Sequence, residues 1–144
     1  MKIMVSACLL GENCKYNGKN NYNEKLVEFC RNHEVIPVCP EVLGGLPTPR
    51  LPAEIVHGEV RNRNGSVDKE FRSGAKAALE KALSEKPDLV ILQSRSPSCG
   101  VGIIYDGTFC GGRIPGNGVF AQLLIDSGIN TEDVAEFLKK NCER

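Results

Sequence analysis

The sequence lacks both a long apolar segment and an excess of charge of either sign. The longest apolar stretch near its start, residues 3–10, is interrupted by Ser6 and falls far short of the roughly 20 residues that span a bilayer. The 18 basic and 18 acidic side chains balance, and no run of Lys or Arg supplies the basic face that nucleic acids require. These absences argue against a membrane span and against a nucleic-acid partner.

Several common sequence signals are also missing. A secretory leader needs a longer apolar stretch and a cleavage site, whereas Gly11-Glu12-Asn13 follows the first apolar residues directly. We therefore expect a cytoplasmic protein. Neither G-x-G-x-x-G nor G-x-x-x-x-G-K-[ST] occurs, so the sequence gives no support to a dinucleotide or P-loop site.

Cysteine, by contrast, is abundant, with seven residues at irregular spacing in a chain of 144. An odd number of cysteines in a reducing compartment argues against a disulfide framework, and the absence of C-x-x-C removes the usual zinc-ribbon and thioredoxin patterns. The chain is long enough to bury one hydrophobic core, so we expect a single domain over residues 1–144. Metal, cluster or catalytic use of the cysteines therefore gains weight, with any metal or cluster site assembled from distant parts of the chain.

Alternating apolar segments predict an α/β protein. Strands are expected at residues 2–7, 34–38 and 88–93, and helices at 24–32, capped by Asn23, and from Asp68 to the vicinity of Pro87. The third strand is aliphatic throughout, as is typical of a strand buried on both faces of a parallel sheet. The order of these elements predicts a small three-layer Rossmann-like fold with a mostly parallel sheet and right-handed crossovers.

The connecting segments are unusually long. Residues 40–53 are rich in Pro and Gly and are expected to form neither helix nor strand. Asn-Gly and Asp-Gly pairs predict hairpins within residues 54–67 and 103–110, which would be insertions at the active-site rim. Two final helices are expected, one capped by Asn117 and one by Thr131, with no strand before the last.

Three cysteines follow predicted strands. Cys8 ends the first strand, Cys39 ends the second, and Cys99 lies six residues after the third. Because the carboxyl ends of parallel strands share one rim, these thiols can meet there. Three thiolates repel one another unless a cation or an iron-sulfur cluster neutralises them. The alternative is that each is a small buried hydrophobe.

The other cysteines carry weaker signals. Cys30 and Cys142 fall in or near predicted helices and receive no role. Cys110, on a predicted hairpin arm, either approaches the rim or packs beneath it. Cys14 forms a C-x5-C pair with Cys8 across a Gly turn, as two metal ligands or as a redox pair.

Polar residues accompany the cysteines of the rim. Glu41 stands two residues after Cys39, where it suits an acid-base group or pairs with Arg50 as a loop carboxylate. Ser96 and Ser98 precede Cys99 directly and either hydrogen-bond a ligand or cap a turn.

These residues belong to three groups that occur in order along the chain. The groups are Cys8-Leu-Leu-Gly11 with Tyr16-Asn17-Gly18, then Cys39-Pro-Glu41 with Gly44-Gly-Leu46 and Pro49-Arg50, then Ser96-Pro-Ser-Cys-Gly100. Over roughly residues 3 to 128 the chain resembles the thiouracil desulfurase family.

The resemblance implies an enzyme that binds a 4Fe-4S cluster through Cys8, Cys39 and Cys99 alone and leaves the fourth iron open. That iron would bind the thiocarbonyl sulfur of a thiolated pyrimidine, 2-thiouracil or a related thiouracil or thiouridine compound. Water would replace the sulfur, which would leave as hydrosulfide, with no net electron transfer. Glu41 would move the proton, and Ser98 or Ser96 would orient the substrate.

Two alternatives stay open. A non-catalytic metal or cluster-binding module, acting as a sensor or sulfur carrier, would close its shell with Cys14 or Cys110. A thiol redox enzyme would use Cys8 and Cys14 without metal. The sequence leaves open a free base, a nucleoside or a nucleotide as substrate, and a monomer or a small homo-oligomer as the assembly.

Overall fold

The computed structural model describes residues 1–141 as a parallel central sheet with helices on both faces and two small antiparallel sheets beside it. The strands are β1 (Lys2–Ser6), β2 (Glu34–Val38), β3 (Glu54–Val56), β4 (Glu59–Asn62), β5 (Gly65–Ser66), β6 (Leu89–Leu92), β7 (Ile103–Tyr105), β8 (Arg113–Pro115) and β9 (Thr131–Asp133). The helices are a 3-10 turn (Ala7–Leu10), α1 (Glu24–Cys30), α2 (Pro40–Leu43), α3 (Asp68–Glu85), α4 (Val119–Asp126) and α5 (Val134–Asn141).

The central sheet has the strand order β2-β1-β6-β9, and each neighbouring pair is parallel. From β1 the chain crosses to β2 on one side, and β6 then pairs on the other side of β1. The order therefore reverses between β1 and β6, and the crevice at the carboxyl ends of such a pair is where open α/β sheets bind ligands. Pro37 lies in the edge strand β2, where its missing N–H interrupts no central ladder.

Alternating side chains of β1 and β6 pack into two hydrophobic cores, one on each face of the sheet. Met4, Val90 and Leu92 pack on the face covered by α3 and α4, whereas Ile3 and Ile91 pack on the face covered by α1 and α5. This is why β6 is apolar at every position. The predicted three-layer Rossmann-like arrangement is confirmed. No helix within residues 1–141 is both long enough and apolar enough to cross a membrane.

The expectation that residues 40–53 contain no helix is wrong at their start. Pro40–Leu43 forms one helical turn, in which the N–H of Gly44 bonds to the carbonyl of Pro40 at 2.9 Å. Proline is accepted at the first helical position, because its missing N–H would have no intrahelical partner there. The remainder, residues 44–53, is a loop.

The first predicted hairpin is present and is extended by a third strand, since β4 pairs with both β3 and β5. The second is wrong in its pairing, because β7 pairs with β8 and not with residues 108–110. The Asp106 carboxylate accepts the N–H and O–H of Thr108, and the Glu54 carboxylate accepts the N–H of Gly107 and Phe109. These side-chain acceptors hold the segment as a loop.

The C-terminal elements differ from expectation in two ways. Thr131 begins strand β9, and α5 is capped by Asp133, whose Oδ2 accepts the N–H of Glu136 at 3.1 Å. Asn117 does not cap α4. Its Oδ1 accepts the N–H of Gly102 at 2.8 Å instead.

Candidate active site

A cavity of about 490 Å³ lies at the carboxyl ends of β1, β2 and β6, beside the strand-order reversal. Cys8, Cys39 and Cys99 all line it, although 31 and 60 residues separate them along the chain. Other lining side chains are Cys14, Lys15, Tyr16, Asn21, Glu41, Arg50, Glu54, Ser94, Arg95, Ser96 and Tyr105. The fold therefore brings the three strand-following thiols to one space.

Each thiol is positioned by a different local structure. Cys8 lies in the 3-10 turn that continues β1 and ends at Gly11, whose φ of 99° is in the left-handed region that favours glycine. Cys39 is the residue before α2, directly after β2. Cys99 is buried in the turn that follows β6.

The Ser-Pro-Ser-Cys-Gly segment folds as a tight turn on the start of α4. The Ser96 hydroxyl oxygen accepts the N–H of Ser98 at 3.0 Å and that of Cys99 at 2.9 Å. The Ser98 carbonyl in turn accepts two N–H groups from the first turn of α4, those of Phe120 and Ala121. The backbone of this turn therefore caps α4, which has no side-chain cap, and it fixes Cys99 between β6 and α4.

Two glycines bring α2, and with it Cys39 and Glu41, close to α3. A side chain at Gly74 would overlap the carbonyl of Pro40, and a side chain at Gly44 would overlap the carbonyl of Glu70. Only glycine permits this backbone approach. The contact between the two helices therefore sets where Cys39 and Glu41 stand in the cavity.

Hydrogen-bond donors face the sulfurs of the cavity. Asn21 Nδ2 donates to Cys8 Sγ at 3.4 Å, and the Ser6 hydroxyl lines the cavity with Cys99 and favours its thiolate form. Burial raises the pKa of both thiols, and these donors offset part of the rise. At Cys39 the hydrogen bond from the Cys14 thiol dominates and lowers the pKa, against the effect of burial.

Glu41 is paired with Arg50 across the loop that follows α2. Arg50 Nε donates to Glu41 Oε1 at 3.1 Å, and the two side chains are only 7% and 18% exposed. Burial raises the pKa of Glu41, and the neighbouring guanidinium offsets part of that rise. The pairing that the sequence left open is therefore present, and the carboxylate still lines the cavity.

The two serines occupy different places. Ser96 lines the cavity while its oxygen accepts two backbone N–H groups. Ser98 is fully buried, and its hydroxyl has no hydrogen-bond partner among residues 1–141. Buried polar groups without partners are uncommon in native proteins.

The remaining cysteines lie in different environments. Cys14 lines the cavity beside Cys39. Cys30 is buried in the core between the sheet and α1 and α5, as expected, and Cys110 is exposed. Cys142 lies outside the described residues.

Sequence reasoning missed several lining residues. Asn21 and Ser6 carry no motif of their own: Ser6 ends β1, two residues before Cys8, and Asn21 lies in the loop before α1. Arg95 and Tyr105 form a cation–π contact, with the guanidinium carbon 6.0 Å from the ring centroid. The two residues come together only in the tertiary structure. Glu54 begins β3, and the sequence pattern predicts only that it belongs to a hairpin, not that it lines the cavity.

The fold and the cavity define a parallel α/β protein with a thiol-rich site at its strand-order reversal. The sequence matches the 2-thiouracil desulfurase family over residues 3–136, and the chain belongs to that family.

Two relatives are similar over nearly the whole chain. One is the uncharacterized protein YbbK of Bacillus subtilis (strain 168), 41% identical over 137 residues, which cover 88% of this chain and 91% of the relative. The other is a solved structure of the 4Fe-4S-dependent thiouracil desulfidase TudS. It matches with a TM-score of 0.88 at 38% identity, over 96% of this chain and 93% of its own. The resemblance inferred from the sequence motifs is confirmed.

Proposed function

We propose that this chain removes sulfur from a thiolated pyrimidine with the help of a 4Fe-4S cluster held by Cys8, Cys39 and Cys99. The observation that carries the proposal is that these three thiols line one cavity at the strand-order reversal. The family match and the similarity to a 4Fe-4S-dependent thiouracil desulfidase support the same chemistry.

The donor set fits an iron-sulfur cluster. Cysteine thiolates are the usual ligands of such clusters, and here the proposed ligands receive hydrogen bonds that favour the thiolate form. Within residues 1–141, no three His, Cys, Asp or Glu side chains are grouped so as to hold a single metal ion. A four-iron cluster is larger than one ion, and its ligands stand around a cavity.

With three protein ligands, a bound cluster supplies a Lewis-acidic iron for the thiocarbonyl sulfur of the substrate. Replacement of sulfur by oxygen consumes one water and releases hydrosulfide and a proton. Glu41 lies on the cavity wall, so its carboxylate is placed to take the proton from the attacking water. Arg50 fixes one carboxylate oxygen and so limits the rotation of Glu41.

A hydroxyl group is available to orient the pyrimidine ring. Ser96 faces the cavity, and because its oxygen already accepts two N–H groups, its own proton is left to donate. Ser98 is fully buried, and its hydroxyl has no hydrogen-bond partner in the described part of the chain. We therefore assign substrate orientation to this turn, with Ser96 nearest to the cavity and Ser98 as the second candidate.

A closed, non-catalytic site is the alternative that one observation favours. Cys14 also lines the cavity, and its interaction with the neighbouring Cys39 thiol raises its pKa. If Cys14 were a fourth ligand, the iron would have no open position for substrate.

The test is anaerobic reconstitution followed by iron and acid-labile sulfide analysis and by an assay of 2-thiouracil conversion to uracil and hydrosulfide. We expect about four irons per chain and turnover in the wild type. Cys8→Ala, Cys39→Ala and Cys99→Ala should lose both, whereas the exposed Cys110→Ala control should lose neither. Cys14→Ala should keep iron and activity. Loss of iron in Cys14→Ala would favour the closed site, and an iron-free wild type would overturn the proposal.

A further inference from the structure

Asn21 is held against Cys8 at two points. Its backbone N–H donates to the Cys8 carbonyl at 3.0 Å, and its side-chain Nδ2 donates to the Cys8 sulfur at 3.4 Å. Both residues are half-buried and line the cavity. The loop between the first 3-10 turn and α1 thus brings an amide donor to a sulfur of the proposed site.

The chemistry of this contact favours a thiolate. A protonated thiol is a weak acceptor, whereas a thiolate, free or bound to iron, accepts a charge-assisted hydrogen bond. The opposite flip of the Asn21 amide would set its oxygen against the sulfur and repel a thiolate. The donor orientation is therefore the one that suits a metal ligand.

We propose that Asn21 is a positioning residue that stabilises Cys8 as a thiolate ligand and draws electron density away from the cluster. The inference rests on the proposed function. A hydrogen bond to a ligand sulfur weakens its electron donation to iron and raises the reduction potential. A more electron-poor iron is also a stronger Lewis acid, and Lewis acidity is the property that desulfuration without net electron transfer requires.

Asn21 is the donor that can be changed with least effect on the fold. Ser6, which offsets part of the burial effect on the pKa of Cys99, is buried at the end of β1 and accepts the N–H of Gln93. At Cys39 the Cys14 thiol and the backbone N–H of Val42 lower the pKa, and the second of these cannot be removed by a side-chain substitution. The Asn21 side chain lies in a loop, and within residues 1–141 its amide bonds only to the Cys8 sulfur.

The test compares Asn21→Leu and Asn21→Asp with Asn20→Leu in reconstituted protein. Asn20 is a matched control in the same loop, since its amide bonds to Asn13 at 2.9 Å and does not line the cavity. The readouts are the midpoint potential, from a redox titration followed by electron paramagnetic resonance, and the rate of iron loss to a chelator.

We expect a lower potential and several-fold faster iron loss in Asn21→Leu. Both changes should be larger in Asn21→Asp, where a carboxylate faces the sulfur, and absent in Asn20→Leu. Asn21→Ser, which keeps a shorter donor, should recover part of the wild-type potential. Circular dichroism of the unloaded variants checks that each one folds.

The possible failures are distinguishable. A wild type that binds no cluster would overturn the proposed function itself. A loaded Asn21→Leu variant with the wild-type potential and iron retention would overturn the role of Asn21 while the proposed function stands. Equal changes in Asn21→Leu and Asn20→Leu would show an effect of the loop and would also overturn it.

Discussion

The guanidinium of Arg50 joins Glu41 to the loop that carries Cys14. Its Nε donates to Glu41 Oε1 at 3.1 Å, its Nη2 donates to the Cys14 carbonyl at 2.8 Å, and the Arg50 backbone N–H bonds to the Tyr16 carbonyl at 2.6 Å. Its Nη1 bonds to residues 47 and 48. Because each guanidinium nitrogen has a partner within the chain, Arg50 supports the cavity wall and is not placed to bind an anion.

Removal of this cation should therefore affect both stability and turnover. We expect Arg50→Gln to lower the free energy of unfolding by about 2–3 kcal/mol, because the largely buried Glu41 carboxylate would lose its charged partner. Arg50→Lys keeps the charge but not the planar fork, and should lose less stability yet still slow desulfuration. Urea denaturation and kcat measure the two effects.

The exposed pair of Arg61 and Glu59 is the control for this prediction. Its two side chains are about half exposed, and exposed ion pairs contribute roughly 0–1 kcal/mol. Arg61→Gln should change stability within that range and leave kcat unchanged. An Arg50→Gln variant no less stable than Arg61→Gln would contradict the supporting role of Arg50.

The two serines of the turn before Cys99 should respond in opposite ways. Ser96→Ala removes the acceptor of two backbone N–H groups and should cost about 1–2 kcal/mol of stability. Ser98→Ala removes a buried hydroxyl that has no partner among residues 1–141 and should leave stability unchanged or higher. A fall in kcat for Ser98→Ala at unchanged stability would assign substrate orientation to Ser98, and a wild-type kcat would leave it to Ser96.

The approach of α2 to α3 predicts that a methyl group at Gly74 is harmful. Alanine gains about 1 kcal/mol over glycine in a helix interior, but here its Cβ would overlap the Pro40 carbonyl, and overpacking costs about 1–3 kcal/mol. We expect Gly74→Ala to be destabilised and to retain less iron, since Cys39 moves with α2. Ser73→Ala, on the exposed side of the same helix, should match the wild type in both measurements.

Asp68 should make stability depend on pH in the acid range. Partial desolvation raises its pKa, but the hydrogen bond from the Val60 N–H and the ion pair with Arg72 outweigh it and lower the pKa below 3.8. A carboxylate whose pKa is lowered by folding stabilises the folded state at pH values above its unfolded-state pKa of about 3.9. This stabilisation disappears as the pH falls through the folded-state pKa.

Asp68→Asn should therefore be less stable than the wild type at pH 7, by about 1 kcal/mol. The difference should shrink as the pH falls below about 4. Urea unfolding at a series of pH values measures it. A difference that stays constant down to pH 3 would mean that Asp68 acts through packing and not through its charge.

Much of the scaffold could be predicted from local patterns. The aliphatic segment at β6, the Asn23 cap of α1 and the long helix α3 follow from periodicity and capping, which depend on neighbouring residues only. The pairing of β7 and the strand β9 could not be predicted. The Glu54 carboxylate, from a distant segment, binds the N–H groups of Gly107 and Phe109 and holds them out of the hairpin, and β9 has the polar sequence Thr-Glu-Asp.

Motif order and hydrophobic period are properties of the chain alone, and they were enough to predict the family, the parallel α/β class and the three cysteines that follow strands. The folded structure was needed to show that Cys14 and Asn21 line the same cavity, that Glu41 bonds to Arg50, and that Ser96 lines the cavity while Ser98 is buried. These relationships depend on how loops fold back over the sheet, and a local sequence pattern does not specify which distant residue a loop side chain contacts.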